Sequence, residues 1–178
     1  MKEFKYIIVL FFALIFSVSV SAQNPTFLPV FPGSSQNSVS FSTINSINLE
    51  FDTPSNAGES LPVLTDDTKW LNYNISVVPP DPPLSISVQI LSGTIFEGLK
   101  LTVEASSYLG PGGGSPGTPA GAVTLSSIPQ VLIDNIGTCN TGTGANVGHQ
   151  LKYTLSIDNY SQVKSSFSTI NILYTISQ

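Results

Sequence analysis

The sequence predicts an all-β chain, an antiparallel two-sheet sandwich of about eight strands. Three observations predict it. Apolar residues recur at every second position through most of the chain, the spacing of a half-buried strand. Outside the N-terminal segment no run of ten or more residues carries helical spacing. Ser, Thr, Val, Ile and Tyr recur throughout, which suits a pleated surface. One face in and one face out means antiparallel pairing, and such strands close their apolar faces most simply as two layers. A closed barrel is the alternative architecture.

Residues 1–22 read as an export signal. Lys2 and Lys5 give a short basic start, Ile7–Phe16 is an unbroken apolar run, and Val20-Ser21-Ala22 is a small-residue cleavage site before Gln23. The apolar run falls short of the roughly 20 residues that a spanning helix needs, and no Cys follows the cleavage site to take a lipid anchor. A secreted, periplasmic or cell-surface location is expected, with no membrane span. Residues 23–36 form a Pro-rich leader, with Pro25, Pro29 and Pro32 among Phe27, Leu28, Val30 and Phe31. Its prolines disfavour a helix and favour an extended chain, and its aromatics need a partner surface.

The sandwich domain spans residues 37–178. Val39, Phe41, Ile47, Leu49 and Phe51 share one parity, as one strand or as two with a break near Asn45. The segment from Asp52 to Gly58 is turn chemistry. Leu71, Tyr73, Ile75 and Val77 alternate with Asn72, Asn74 and Ser76, while Trp70 opens that strand on the polar parity. After the rigid Pro79–Pro83 connector, Leu84, Ile86, Val88 and Ile90 form the next strand, and Leu99, Leu101, Val103 and Ala105 the one after it. Residues 109–122, with six Gly and three Pro, form a loop. Val123–Ser127 and Gln130–Ile136 are two short strands split by Pro129, and Gly137–Gly148 is a second loop. Leu151, Tyr153, Leu155 and Ile157 then alternate, and Ile170, Ile172, Tyr174 and Ile176 close the chain. The expected core is Phe41, Leu49, Tyr73, Ile75, Ile86, Val88, Leu101, Val103, Ile133, Tyr153, Leu155, Ile172 and Tyr174.

Composition excludes several functions. Of six lysines and eleven acids, Lys2, Lys5 and Glu3 fall in the signal; four lysines and ten acids remain, a net charge of −6, with no arginine anywhere. Such a surface repels phosphate backbones and lacks the bidentate donor for them, so nucleic acid is not a partner. One Cys excludes an internal disulfide and a Cys-based zinc cluster, and one His excludes a multi-histidine metal site.

The chemistry-bearing residues are few. Cys139 and His149 flank the loop 140–148 and would suit a thiol nucleophile and its base. No third, orienting group is evident, and an exported thiol tends to oxidise. They read instead as a half-buried Cys at a strand end and a surface His at a strand start, whose substitution leaves folding unchanged. The Gly-rich run Leu109–Thr118 lacks the Lys-Ser/Thr and the helix of a phosphate loop and reads as a flexible edge loop. Asp66-Asp67 is the only adjacent acidic pair; it could contribute to a calcium site but reads as a solvated loop. Trp70 reads as a packing anchor. Tyr108 and Tyr160 fall in loops, where they would be exposed. The sequons at Asn74 and Asn159 are short matches of little weight. No catalytic, cofactor-binding or metal-binding residue is assigned, and no cofactor is expected.

The terminal segment Ser168–Gln178, an alternating strand with a Tyr near its end, resembles the last strand of spore-coat-protein-U-like and chaperone–usher pilin-like domains. Residues 136–144, followed by Leu151-Lys152-Tyr153-Thr154-Leu155, are also similar to secreted proteins of flavobacterium-like bacteria. The resemblance covers about the last 45 residues. It implies an immunoglobulin-like sandwich that assembles at the cell surface by strand exchange. Such pilin domains often carry a disulfide, which this chain cannot form internally. The expected function is that of an exported, non-enzymatic structural or adhesive protein, such as a surface-fibre subunit. Its partners would be further copies or a periplasmic chaperone, through strand addition. A secreted carbohydrate-binding module is the alternative, with a surface glycan as ligand.

Overall fold

The computed structural model describes residues 17–18, 38–41, 46–52, 56 and 58–178. The cleavage site and the leader 23–36 lie outside the described residues. So does the signal 1–22, except for Ser17–Val18.

All named strands pair antiparallel. In chain order they are β1 (Ser17–Val18), β2 (Ser38–Phe41), β3 (Ile47–Asn48), β4 (Leu64–Ile75), β5 (Leu84–Ser92), β6 (Leu99–Ala105), β7 (Gly113–Gly114), β8 (Thr118–Pro119), β9 (Val123–Thr124), β10 (Gln130–Ile136), β11 (Cys139–Asn140), β12 (His149–Ile157) and β13 (Asn171–Ser177). A four-stranded sheet runs β13-β5-β10-β8. A larger sheet is built on β4, β12 and β6, with β2, β7, β9 and β11 attached to it, and β1 pairs with β3 apart from both. The two sheets face each other across one apolar core, to which both contribute.

Register explains the larger sheet. Leu71 faces both Phe41 of β2 and His149 of β12, and Asn74 faces both Ser38 of β2 and Asn140 of β11. So β2 lies along one edge of β4, and β11 and β12 share the other, as one strand interrupted by residues 141–148. The neighbouring β6 and β7 are interrupted in the same way by residues 106–112, and the two excursions touch through the Leu109–Gly148 bridge.

The strand expected from Trp70 begins six residues earlier, at Leu64, so Asp66 and Asp67 lie in β4 rather than in a loop. Alternation hides this because β4 carries a bulge. Leu151 faces Lys69 but Tyr153 faces Asp66, leaving an extra residue on β4. The extra residue switches parity: Leu64 packs against the core on one side of the bulge, and Leu71, Tyr73 and Ile75 on the other.

The remaining long strands start and end within two residues of the positions that alternation predicts. Every residue of the expected core is buried except Phe41, whose expectation lies outside the described side chains. Within the Gly-rich segment 109–122, β7 pairs with β11 and β8 with β10, so this segment is built into both sheets rather than hanging from them as a loose loop.

The chain crosses from one sheet to the other between every two consecutive long strands. Of the six long strands, the first three in sequence are β4, β5 and β6, and the last three are β10, β12 and β13. Within each sheet these alternate: β12 lies between β4 and β6, and β5 lies between β13 and β10.

Candidate functional site

The largest concentration of buried polar groups sits where the two excursions meet. The parity of β4 turns Tyr73 inward with Leu71 and Ile75. His149 opens β12 on the parity of Leu151, Tyr153 and Leu155, opposite Leu71, so its side chain reaches the Tyr73 side chain diagonally across the pair. The two rings stack with centroids 5.6 Å apart and an interplanar angle of 9°. Tyr73 Oη lies 2.8 Å from His149 Nε2, and His149 Nδ1 lies 2.8 Å from the Ser106 carbonyl. A carbonyl only accepts, so Nδ1 carries the proton and Nε2 is left to accept from Tyr73. The Pro116 carbonyl also lies within hydrogen-bond reach of Tyr73 Oη, so the single hydroxyl proton is shared between that carbonyl and Nε2. Tyr108 packs its ring 5.9 Å from that of His149, at 54°. Its hydroxyl is buried without a hydrogen-bond partner among the described residues.

The backbone around this cluster is pinned by side chains. Tyr73 N–H donates to Thr141 Oγ1 at 2.8 Å, and Thr141 Oγ1 donates to the Tyr73 carbonyl at 3.1 Å. Asn72 Nδ2 donates to the Val147 carbonyl at 2.6 Å, and its Oδ1 accepts from Gly144 N–H at 3.2 Å. Asn72 belongs to the polar parity of β4, yet it is buried because the 141–148 excursion folds over it.

Burial sets the protonation states. It lowers the His149 pKa, and the facing carbonyls of Ser106 and Pro116 pull the other way without offsetting it. Burial, then the neighbouring Cys139 and Tyr108, raises Tyr73 far above the ordinary tyrosine value. Burial likewise raises the Cys139 thiol. At neutral pH the cluster is therefore uncharged: a neutral imidazole, a phenol and a thiol. The thiolate that a cysteine nucleophile needs is disfavoured, and no hydrogen bond joins Cys139 to His149 among the described residues.

His149 corrects its sequence reading. It is not a surface residue but 0% exposed, and Cys139 is fully rather than half buried. The signal was present, since His149 shares the inward parity of β12. Tyr108 is also corrected: its ring packs beside His149 and its hydroxyl is buried rather than turned into solvent. Tyr160 is exposed as expected, at 59%, and Phe167, in the same β12–β13 connection, is 61% exposed. Trp70 is buried at 7%, in keeping with a packing role. Asp66 Oδ1 accepts from Thr68 N–H at 3.1 Å and from Thr68 Oγ1 at 2.8 Å. Among the described residues no group of three or more His, Cys, Asp or Glu could hold a metal ion, and no helix is long and apolar enough to cross a membrane. Of the two sequons, Asn74 is exposed on β4, and the Asn159 side chain caps a short 3-10 turn, Tyr160–Gln162, by accepting from Ser161 N–H.

A second polar contact ties the sheets together. Tyr153 Oη of β12 and Tyr174 Oη of β13 lie 2.5 Å apart across the core, and burial raises the pKa of both.

Comparison with protein families, with curated proteins and with solved structures returns no match.

Proposed function

We propose that the protein is an exported, non-enzymatic structural or adhesive cell-surface protein, a subunit of a surface fibre. The observation that carries this reading is how the buried polar side chains are used. His149, Tyr73, Thr141 and Asn72 make their hydrogen bonds to the backbone of the two excursions or to each other. They stiffen one end of a sandwich, and His149, with both ring nitrogens in hydrogen bonds and no exposed surface, is poorly placed to exchange a proton with a substrate. The basic start, apolar run and small-residue site of residues 1–22 support export. The facing antiparallel sheets, and the fall of the pilin-like resemblance on β13, support an immunoglobulin-like sandwich that joins other subunits or a chaperone by strand addition. The test is to follow the protein in the cells that make it. Antibody labelling and protease shaving of intact cells should reach it, and a protease-resistant protein retained in the cytoplasm overturns the reading.

A second reading, glycan binding, is favoured by one observation, the exposure of Tyr160 and Phe167 in a single connection. Exposed aromatic faces stack on sugar rings. If this reading holds, Tyr160→Ala lowers affinity for an immobilised glycan at least about tenfold with the fold intact, a loss of ~1.4 kcal/mol.

A further inference from the structure

We infer that β13 joins two copies of this chain, pairing antiparallel with β13 of the second copy about a two-fold axis at Tyr174. This rests on the proposed reading that the chain assembles, and it names the partner and the register.

The first argument is the contrast between sheet edges. Among the described residues β13 ends the four-stranded sheet, pairing with β5 through all seven of its residues. The other margins are short or charged: β8 and β9 have two residues each, β7 is two glycines, β8 contains Pro119, β2 has four residues, and the part of β4 beyond its pairing with β2 carries Asp66 and Asp67. Short strands, glycine and proline are the devices that keep an edge from pairing with another chain. β13 has none of them and carries no charged residue. It lies beside an unfinished part of the core, since Ile90 and Ile176 are only partly buried there.

The second argument selects a copy of the same chain. The net charge is negative, so most acidic surfaces would repel their own copy. An uncharged strand meets itself without like-charge opposition. The sequence of β13, Asn171-Ile172-Leu173-Tyr174-Thr175-Ile176-Ser177, also reads nearly alike in both directions. Antiparallel pairing about Tyr174 places Ile172 opposite Ile176, Leu173 opposite Thr175 and Asn171 opposite Ser177 of the other copy. Residues 172, 174 and 176 face the core in each chain, so the apolar layers run on across the junction. The contact is isologous, as a two-fold dimer requires, and it joins two four-stranded sheets into one. An edge of seven residues is small for a stable interface, so the association is concentration-dependent.

The test uses the purified protein and sedimentation velocity over a hundredfold concentration range. The unmodified chain should pass from monomer to dimer. The double variant Leu173→Lys/Thr175→Lys sets lysines opposite each other in this register and should weaken dimerisation at least tenfold. Leu173→Lys/Thr175→Glu sets opposite charges face to face and should restore it. Equal dissociation constants in the two variants, or a monomer at every concentration, overturn the inference. Hydrogen exchange on the unmodified chain gives the same answer without substitution. The amides of residues 171–177 should gain protection as concentration rises; protection already complete in the dilute monomer means that the chain's own leader or another segment covers the edge, and overturns it. A surface-exposed monomer defeats this inference alone, whereas a dimer retained in the cytoplasm defeats only the proposed function.

Discussion

His149 shows how much one buried residue carries. Replacing it by Ala removes one of the two acceptors of Tyr73 and the donor to Ser106, and leaves a void in the core. We expect His149→Ala to cost about 2–4 kcal/mol in urea unfolding. The pH dependence follows from the direction of its shift. Burial lowers the folded-state pKa below the ordinary 6.5, so the stability due to the neutral imidazole is complete above pH 6.5 and is lost as the pH falls through the depressed folded value. Tyr73, Tyr153 and Tyr174 are raised above the ordinary 10.0, so their contribution is complete below pH 10 and is lost as the pH rises through the folded values. Unfolding free energy plotted against pH should be flat near neutrality and fall on both sides, and His149→Gln should flatten the acid limb. Tyr108→Phe runs the other way. It deletes a buried hydroxyl that has no partner among the described residues, so thermal unfolding should show a gain of up to about 1 kcal/mol. The parity of His149 was legible in the sequence. The burial of Asn72 was not, because it depends on an excursion whose Val147 carbonyl lies 75 residues away in the sequence.

At the scale of elements, alternation located the strands well wherever the ladder is regular, and failed where β4 bulges. There an unbroken alternation over residues 64–75 does not exist, and Asp66-Asp67 resembles a turn until its partner strand is known. The broken β11–β12 edge depends on glycine at its return. Gly148 has φ +90°, and a Cβ there would lie 2.3 Å from the Leu71 carbonyl oxygen and 2.7 Å from Asn72 Nδ2. Gly144, in the same excursion, has φ +105° with open space around it. Gly148→Ala should therefore destabilise by about 3 kcal/mol and Gly144→Ala by only about 1 kcal/mol, a difference that chemical denaturation of the two variants resolves.

For the whole molecule, periodicity was enough to predict two antiparallel layers, but it carries no information on which strand lies beside which. That order comes from long-range packing. The interleaving of the two halves predicts fragment complementation. A cut after Gly117 separates β4, β5 and β6 from β10, β12 and β13, and every pairing between long strands spans the cut. Each fragment alone should give the circular dichroism of an unfolded chain. The two mixed should regain the β-sheet spectrum and the Tyr153–Tyr174 contact, with transitions by Trp70 fluorescence and far-ultraviolet dichroism that coincide. A fragment that folds alone would contradict this.

The same interleaving bears on how the chain is made. The first pairing between two long strands, β5 with β10, needs residues 130–136, so the growing chain must reach residue 136 before either sheet can form beyond the four-residue β2 and the two-residue β9. The N-terminal end has by then been outside the ribosome for several seconds, at about 5–20 residues per second. A nascent chain that stays open so long remains thin enough to thread through a membrane pore, as the export proposed above requires.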